Sequence, residues 1–340
     1  MIPDQQNLNL IKQYLYKKGF HDISSYKDKY LSRRLAIRLR NKNCKTYEDY
    51  YDILIRNDNE INLLKKSLSI NVTKFFRDPD TWIEFQHLMQ NYVKEIKIGE
   101  LTSTLRVWSA GCAIGSEPYS IACIIHHILG NHILKYNVKI YATDFNDELL
   151  HIARRGIYEG EIFENIPKDF LVKYFEPSAK GKRVKFVIRR MVDFSNLNLL
   201  KDKYRFPKLD VIFCRNVIIY FSKDIQNEIF QKFYNLLVPN GFLILGRTEI
   251  LPQTFKESFN VFSLKHRFYR KKLDSVPPPI KKKVGKNQNL ECNKCGQKFD
   301  RLVDLRLHER KNSCSRYHCK LCPKKFDNEI RYRAHMKYFH

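Results

Sequence analysis

The chain has 340 residues, 62 of them Lys or Arg and 36 Asp or Glu, for a formal net charge of +26; hydrophobic residues make up 43%, and Gly and Pro supply 12 each. That balance excludes collagen-like, low-complexity and wholly disordered chains, because the apolar fraction is near the globular average. The length fits two domains or one large domain with an appendage. The charge predicts an anionic partner (nucleic acid, acidic protein or a membrane surface) without choosing among them.

Residues 1–75 carry helical periodicity and are expected to form an N-terminal helical domain. Leu31, Leu35 and Leu39 recur every four residues and mark one helix face. Between Tyr26 and Lys45 lie eight basic residues, Lys27, Lys29, Arg33, Arg34, Arg38, Arg40, Lys42 and Lys45, against the single acid Asp28. A face laced by i,i+4 ion pairs needs both signs, so the one-sided run reads as a docking surface for an acidic partner. The N-terminal segment MIPDQQNLNLIKQYLYKK lacks the apolar stretch of a signal peptide. No apolar run nears the ~20 residues needed to span a bilayer. A cytoplasmic, thiol-reducing setting without membrane insertion is therefore expected.

From about residue 105, short β-branched runs alternate with helical stretches. LRVWSA precedes a helix to about 129, VKIYATD a helix from 146, and LDVIFCRNV a helix from 223; GFLILG follows Pro239-Asn240-Gly241. Alternation of this kind predicts an α/β fold with a parallel doubly wound sheet. Residues 156–195 interrupt the rhythm. VKFVIRRMV within them reads as a strand, so a small β insertion is expected there.

In doubly wound sheets, ligands bind outside the carboxyl ends of the strands. The first strand ends in Gly111-Cys112-Ala113-Ile114-Gly115, a G-x-x-x-G that is neither the dinucleotide fingerprint nor a Walker loop. On its own it is equally a tight turn. Asp144 closes the next strand, placed either to take both hydroxyls of a ribose or to cap the helix beginning near Asn146. Glu117, in the first turn after Gly115, could simply complement the helix dipole. Together these residues describe a nucleoside-containing ligand without a polyphosphate, which S-adenosylmethionine satisfies.

Six segments then carry a resemblance: Ser69–Asp78 (SINVTKFFRD), Ala110–Ser120 (AGCAIGSEPYS), Ala142-Thr143-Asp144, Asn198-Leu199, Phe213–Phe221 (FCRNVIIYF) and Gly246–Glu249 (GRTE). In this order, over roughly residues 10–270, they resemble the chemotaxis-receptor glutamate methyltransferases. The resemblance implies an S-adenosylmethionine-dependent methyltransferase domain at 76–270, with a β insert at about 156–195. It implies that Asn71, Thr73 and Arg77 line the cofactor pocket, that Glu117 and Asp144 hold the amino-acid tail and the ribose, and that Asn198 and Leu199 meet the adenine. It also implies that Gly111, closing the first strand, lies beside the cofactor and that Asn216 and Val217 lie beside the tail and the methyl group. Arg77 and Tyr220 would be catalytic, facing the transferring methyl. Their bland alternatives are a surface Arg77–Asp78 pair and a core tyrosine. The implied partner is the cytoplasmic helical bundle of a chemoreceptor, docked on the basic N-terminal helix. The insert is short for gripping a receptor tail peptide.

Residues 271–290, with three prolines followed by lysines, read as a solvated linker. The tail carries five of the nine cysteines, a crowding that points to metal rather than disulfides. Cys292-x2-Cys295-x12-His308-x5-Cys314 is followed by Cys319-x2-Cys322-x12-His335-x4-His340. Each set has tetrahedral zinc-ligand spacing, and Phe299 with Leu305, then Phe326 with Tyr332, occupy the core positions. Residues 291–340 therefore resemble two C2H2 zinc fingers holding two structural Zn²⁺ ions, the first ending in Cys. Base-reading positions would fall on Arg301, Asp304 and Leu307, then Asn328, Arg331 and Ala334; Leu and Ala offer bases no hydrogen bond. Protein docking, nucleic-acid contact and a passive cap all stay open for the tail. For the whole chain, a DNA-binding regulator with a ligand-sensing body and a glutamate methyltransferase with a non-receptor substrate stay open too.

Overall fold

The computed structural model describes residues 5–68, 73–96, 103–276 and, in the tail, 317–318, 325–326, 333–334 and 336–337. The chain divides into a large unit, Met1–Ile280, and a small one, Lys281–His340.

The large unit begins with four helices, α1 (Gln5–Lys17), α2 (Asp28–Asn41), α3 (Tyr47–Arg56) and α4 (Asp58–Leu68). Leu8, Ile11 and Leu15 of α1 pack with Leu31, Leu35 and Leu39 of α2, Tyr50 and Leu54 of α3, and Ile61 and Leu64 of α4. The entry to α3 is fixed by a capping box: the Thr46 hydroxyl accepts from Asp49 N–H while the Asp49 carboxylate accepts from Thr46 N–H.

The basic run on α2 is partly answered from within. Arg38 forms a two-pronged pair with Glu60 of α4, Nε to Oε1 and Nη2 to Oε2 both at 2.8 Å. Lys42 lies 3.2 Å from the same carboxylate, and the Tyr50 hydroxyl donates to it at 2.8 Å. The Glu60 side chain is 0% exposed. The acid that the one-sided pattern lacked therefore comes from another helix, and Arg38 and Lys42 leave the docking surface. Arg38→Ala is expected to destabilise the fold by about 1.5–3 kcal/mol, because it removes two charged hydrogen bonds from a buried carboxylate and leaves it to Lys42 and Tyr50; chemical denaturation checks this.

Helix α5 (Pro79–Ile96) leads into the sheet domain. Its elements are β1 (Ser103–Ala110), α6 (Ser116–Leu129), β2 (Tyr136–Asp144), α7 (Asp147–Arg155), β3 (Ile157–Tyr158), α8 (Lys168–Tyr174), β4 (Phe175–Ser178), β5 (Gly181–Val184), α9 (Phe186–Arg189), β6 (Val192–Asn196), β7 (Leu209–Cys214), α10 (Lys223–Leu236), β8 (Leu237–Leu245), β9 (Phe259–Ser263) and β10 (Phe268–Lys271). The seven-stranded sheet runs β6-β2-β1-β7-β8-β10-β9. Its first five strands are parallel, and β10 and β9 add an antiparallel edge. Alternation along the central strands feeds two layers. Val107, Val211 and Phe213 join α5 and α6 on one face, and Trp108, Ile212 and Cys214 join α10 on the other. The order reverses between β1 and β7, which places a crevice at the carboxyl ends of β1, β2 and β7.

The insertion is a three-stranded antiparallel sheet, β3-β5-β4. The expected strand VKFVIRRMV is not one. Val184 ends β5, Phe186–Arg189 form the short helix α9, and Val192 begins β6 of the main sheet. Val184 and Ile188 are both 0% exposed, one anchoring the end of β5 and the other the single buried position of α9, so the β-branched run is divided among three elements.

In the tail, β11 (Tyr317–His318) pairs antiparallel with β12 (Lys325–Phe326), Tyr317 opposite Phe326. Arg333, Ala334, Met336 and Lys337 are helical. The linker expected at 271–290, apart from residues 271–276, and all eight expected metal ligands lie outside the described residues.

Candidate active site

Loops after β1, β2, β6 and β7, with the segment before α5, enclose one open cavity of about 1200 Å³, counted out to its solvent mouth. Ten of the residues singled out in the sequence line it: Thr73, Arg77, Gly111, Glu117, Asp144, Asn198, Leu199, Asn216, Val217 and Tyr220. Asn71 lies outside the described residues.

The β1 turn is built for close approach. Gly111 and Cys112 N–H donate to the Thr143 carbonyl at 2.8 and 2.9 Å, lacing the turn to β2. Gly111 has φ +80°, and a Cβ there would lie 2.5 Å from Val217 Cγ2. Only glycine lets the turns after β1 and β7 touch.

Asp144 is 8% exposed at the end of β2. Its Oδ2 accepts from Ala113 N–H at 2.9 Å and its Oδ1 from Asn146 N–H at 3.0 Å. It is not the cap of α7; the Asn146 side chain is, accepting from Glu148 and Leu149 N–H. Burial pushes the Asp144 carboxyl up, against the pull of those backbone donors. Glu117, in the first turn of α6, accepts from the Ser109 hydroxyl at 2.8 Å. Burial pushes its carboxyl up as well, and the nearby Arg215 charge pulls it back. Across the cavity, the Asn198 carboxamide oxygen accepts from Leu200 N–H at 2.8 Å, fixing the side chain in its turn.

Arg77 precedes a left-handed residue, Asp78 at φ 61°. The Asp78 carboxylate takes Arg215 Nη2 at 2.7 Å. Tyr220 is half-buried against the core of the helical domain, its ring 4.6 Å from that of Tyr30 on α2, and it also lines the cavity. Burial pushes its hydroxyl up, opposed by the charge of Arg77. Phe76, Asp78, Ala113 and Asn216 all have positive φ in segments that build this site. Strain of this kind persists only where surroundings enforce it, and it clusters at functional sites.

Two residues inside the quoted motifs had been given no role. Arg215 has a side chain 2% exposed. Besides Asp78, it holds the Arg77 carbonyl at 3.1 Å, lies 3.6 Å from Glu117, and stacks 5.4 Å from the Trp82 ring centre. It thus fastens the arginine segment to the end of β7. Glu249, 3% exposed, binds backbone N–H groups of the β7 turn. No spacing rule exposes either, because their partners are brought together only by the fold.

The donor set fits a cofactor with a cationic end and a diol. Two carboxylates, Asp144 buried and Glu117 partly so, face the cavity with two carboxamides, and the lysine in its wall, Lys74, is paired with Glu164. A model of the SAM-binding domain of CheR methyltransferases matches residues 71–268, and one of the same family's all-alpha domain matches residues 6–69. The chain belongs to the CheR methyltransferase family. A C2H2-type zinc-finger model matches residues 290–311. The chemotaxis protein methyltransferase of Borreliella burgdorferi is 32% identical over 273 residues, covering 74% of this chain and 96% of that one. The chemotaxis protein methyltransferase of Escherichia coli (strain K12) is 35% identical over 246 residues, covering 70% and 82%. That of Salmonella typhimurium is 33% identical over 255 residues, covering 73% and 84%. This CheR-family chain is a SAM-dependent methyltransferase. Among its described residues no helix is long and apolar enough to cross a membrane.

Proposed function

We propose that this methyltransferase esterifies glutamate side chains of chemoreceptors. The observation that carries the reading is the cavity's division of labour. Its two carboxylates, Asp144 and Glu117, accept from Ala113 N–H and the Ser109 hydroxyl, and Arg77 and Tyr220 bring a cation and a hydroxyl to the same wall. That arrangement suits an acceptor that arrives anionic.

S-adenosylmethionine supplies a methyl group on a sulfonium, an electrophile for in-line displacement. In the proposed site, Asp144 takes the ribose hydroxyls and Glu117 the ammonium of the tail. Asn198 and Leu199 meet the adenine. Gly111, Asn216 and Val217 line the path to the methyl, with Thr73 completing the wall, and Asn71 is a further proposed cofactor ligand. A glutamate acceptor is ionised at neutral pH, so no base need remove a proton. Arg77 grips that carboxylate, and Tyr220, whose hydroxyl burial keeps protonated, donates to it. Alignment of this kind is worth ~7–11 kcal/mol of barrier.

The acceptor is proposed to reach the cavity on a receptor helical bundle docked against α2, where Lys29, Arg33 and Arg40 stay exposed after Arg38 and Lys42 turn to Glu60. The tail is proposed to hold two structural Zn²⁺ ions, one through Cys292, Cys295, His308 and Cys314 and one through Cys319, Cys322, His335 and His340. The β11–β12 pair, the helical residues near 333–337 and the match at 290–311 support that reading. Protein docking is its proposed role.

The test is incubation of the full chain with a receptor cytoplasmic fragment and methyl-labelled cofactor, followed by peptide mapping. The label is expected on glutamate as a base-labile ester that releases methanol. A base-stable label, or label on lysine or arginine, would overturn the reading.

A further inference from the structure

The turn after β7 carries Asn216, Val217 and, three residues on, Tyr220. Asn216 is left-handed at φ 60° and Val217 right-handed at φ −117°, ψ −49°. Successive residues of opposite hand aim their N–H groups at one point and form a nest that binds an anion. In this protein the anion is a side chain. Glu249 Oε2 accepts from Asn216 N–H at 2.9 Å, and Oε1 accepts from Val217 and Ile218 N–H at 2.9 and 2.8 Å. A fourth donor, Gly246 N–H, reaches Oε2 at 2.6 Å. The carboxylate therefore ties the carboxyl ends of β7 and β8 together from below the cavity.

The surroundings leave no slack. Glu249 is 3% exposed. A Cβ on Gly246 would lie 2.8 Å from Glu249 Oε2 and 2.9 Å from Asn216 N. On the far side, Val217 presses against Gly111, the Gln226 amide holds the Ile218 carbonyl at 2.9 Å, and Lys27 N–H holds that of Tyr220 at 2.9 Å. Among these contacts, the strained Asn216 N–H has Glu249 as its acceptor.

We propose that Glu249 is a positioning residue for methyl transfer: its carboxylate fills the N–H nest of the β7 turn and so sets Asn216, Val217 and Tyr220 in the geometry that binds cofactor and acceptor. The proposal rests on the site reading above. Its chemistry needs four acceptor lone pairs on two oxygens. A glutamine keeps the shape but turns one oxygen into an NH₂ group, which meets two backbone N–H groups donor to donor.

The test compares Glu249→Gln, Asn216→Ala and the double variant in the full chain. S-adenosylhomocysteine binding is measured by calorimetry, and amide exchange is measured across the sheet. Glu249→Gln is expected to weaken binding about tenfold or more and to speed exchange in residues 215–218 and 246 while β1 and β2 keep their protection. The double variant is expected to bind within about twofold of Asn216→Ala alone, because both changes remove one element. Wild-type affinity with unchanged exchange in Glu249→Gln would overturn the proposal, and so would loss of protection throughout the sheet, which would mark a purely structural role. Wild-type affinity in Asn216→Ala would instead count against the site reading. The exchange pattern would still decide whether Glu249 sets the turn.

Discussion

Asp144→Ala is expected to weaken S-adenosylhomocysteine binding about 10²–10⁴-fold. Two hydrogen bonds from ribose hydroxyls to a buried carboxylate are worth about 1.5–3 kcal/mol each, and 1.4 kcal/mol is a factor of ten. The same carboxylate anchors Ala113 N–H, which holds the β1 turn at a residue with φ 48°. The binding surface therefore loosens as well. Acidification should act in the same direction. The ionised carboxylate is the binding form, and burial pushes its proton affinity up, so affinity should begin to fall at a pH above the ordinary carboxylate range. Calorimetry across pH measures both effects. An alanine variant binding within threefold of wild type would remove Asp144 from the site.

Arg77→Ala is expected to lower kcat by about 10²-fold, the loss that follows when a reacting group is misplaced by an ångström, with a smaller change in cofactor affinity. The fold should survive. The Trp82 indole and Arg215 both hold the carbonyl of Arg77, at 2.9 and 3.1 Å, and alanine retains it. Arg77→Lys should not restore the rate, because a lysine cannot grip a carboxylate with two parallel donors. Steady-state kinetics on a receptor fragment, with circular dichroism as the fold control, checks this. Unchanged kcat in the alanine variant would mean that another group aligns the acceptor.

Much of this was legible in the sequence because it rests on local rules. The Leu31, Leu35 and Leu39 spacing gave the buried face of α2, and strand–helix alternation gave the parallel core with Gly111 and Asp144 at strand ends. What stayed hidden depends on residues distant in the chain. Glu60 answers Arg38 from a different helix, so a charge count along α2 overstated the free surface. Glu249 bonds to backbone N–H groups some thirty residues away, and no side-chain pattern records that. VKFVIRRMV misled because its β-branched composition runs unbroken across three elements, the end of β5, the short helix α9 and the start of β6, and no residue within it marks the breaks. The antiparallel β9–β10 edge follows from how the chain returns after β8 rather than from any motif within it.

The most direct measurement is a crystal structure of the full chain with S-adenosylhomocysteine. The ribose hydroxyls should lie within hydrogen-bonding distance of Asp144, the tail ammonium near Glu117, the adenine beside Asn198 and Leu199, and the sulfur facing Arg77 and Tyr220. A cofactor bound elsewhere, or one whose sulfur points away from that pair, would contradict the site.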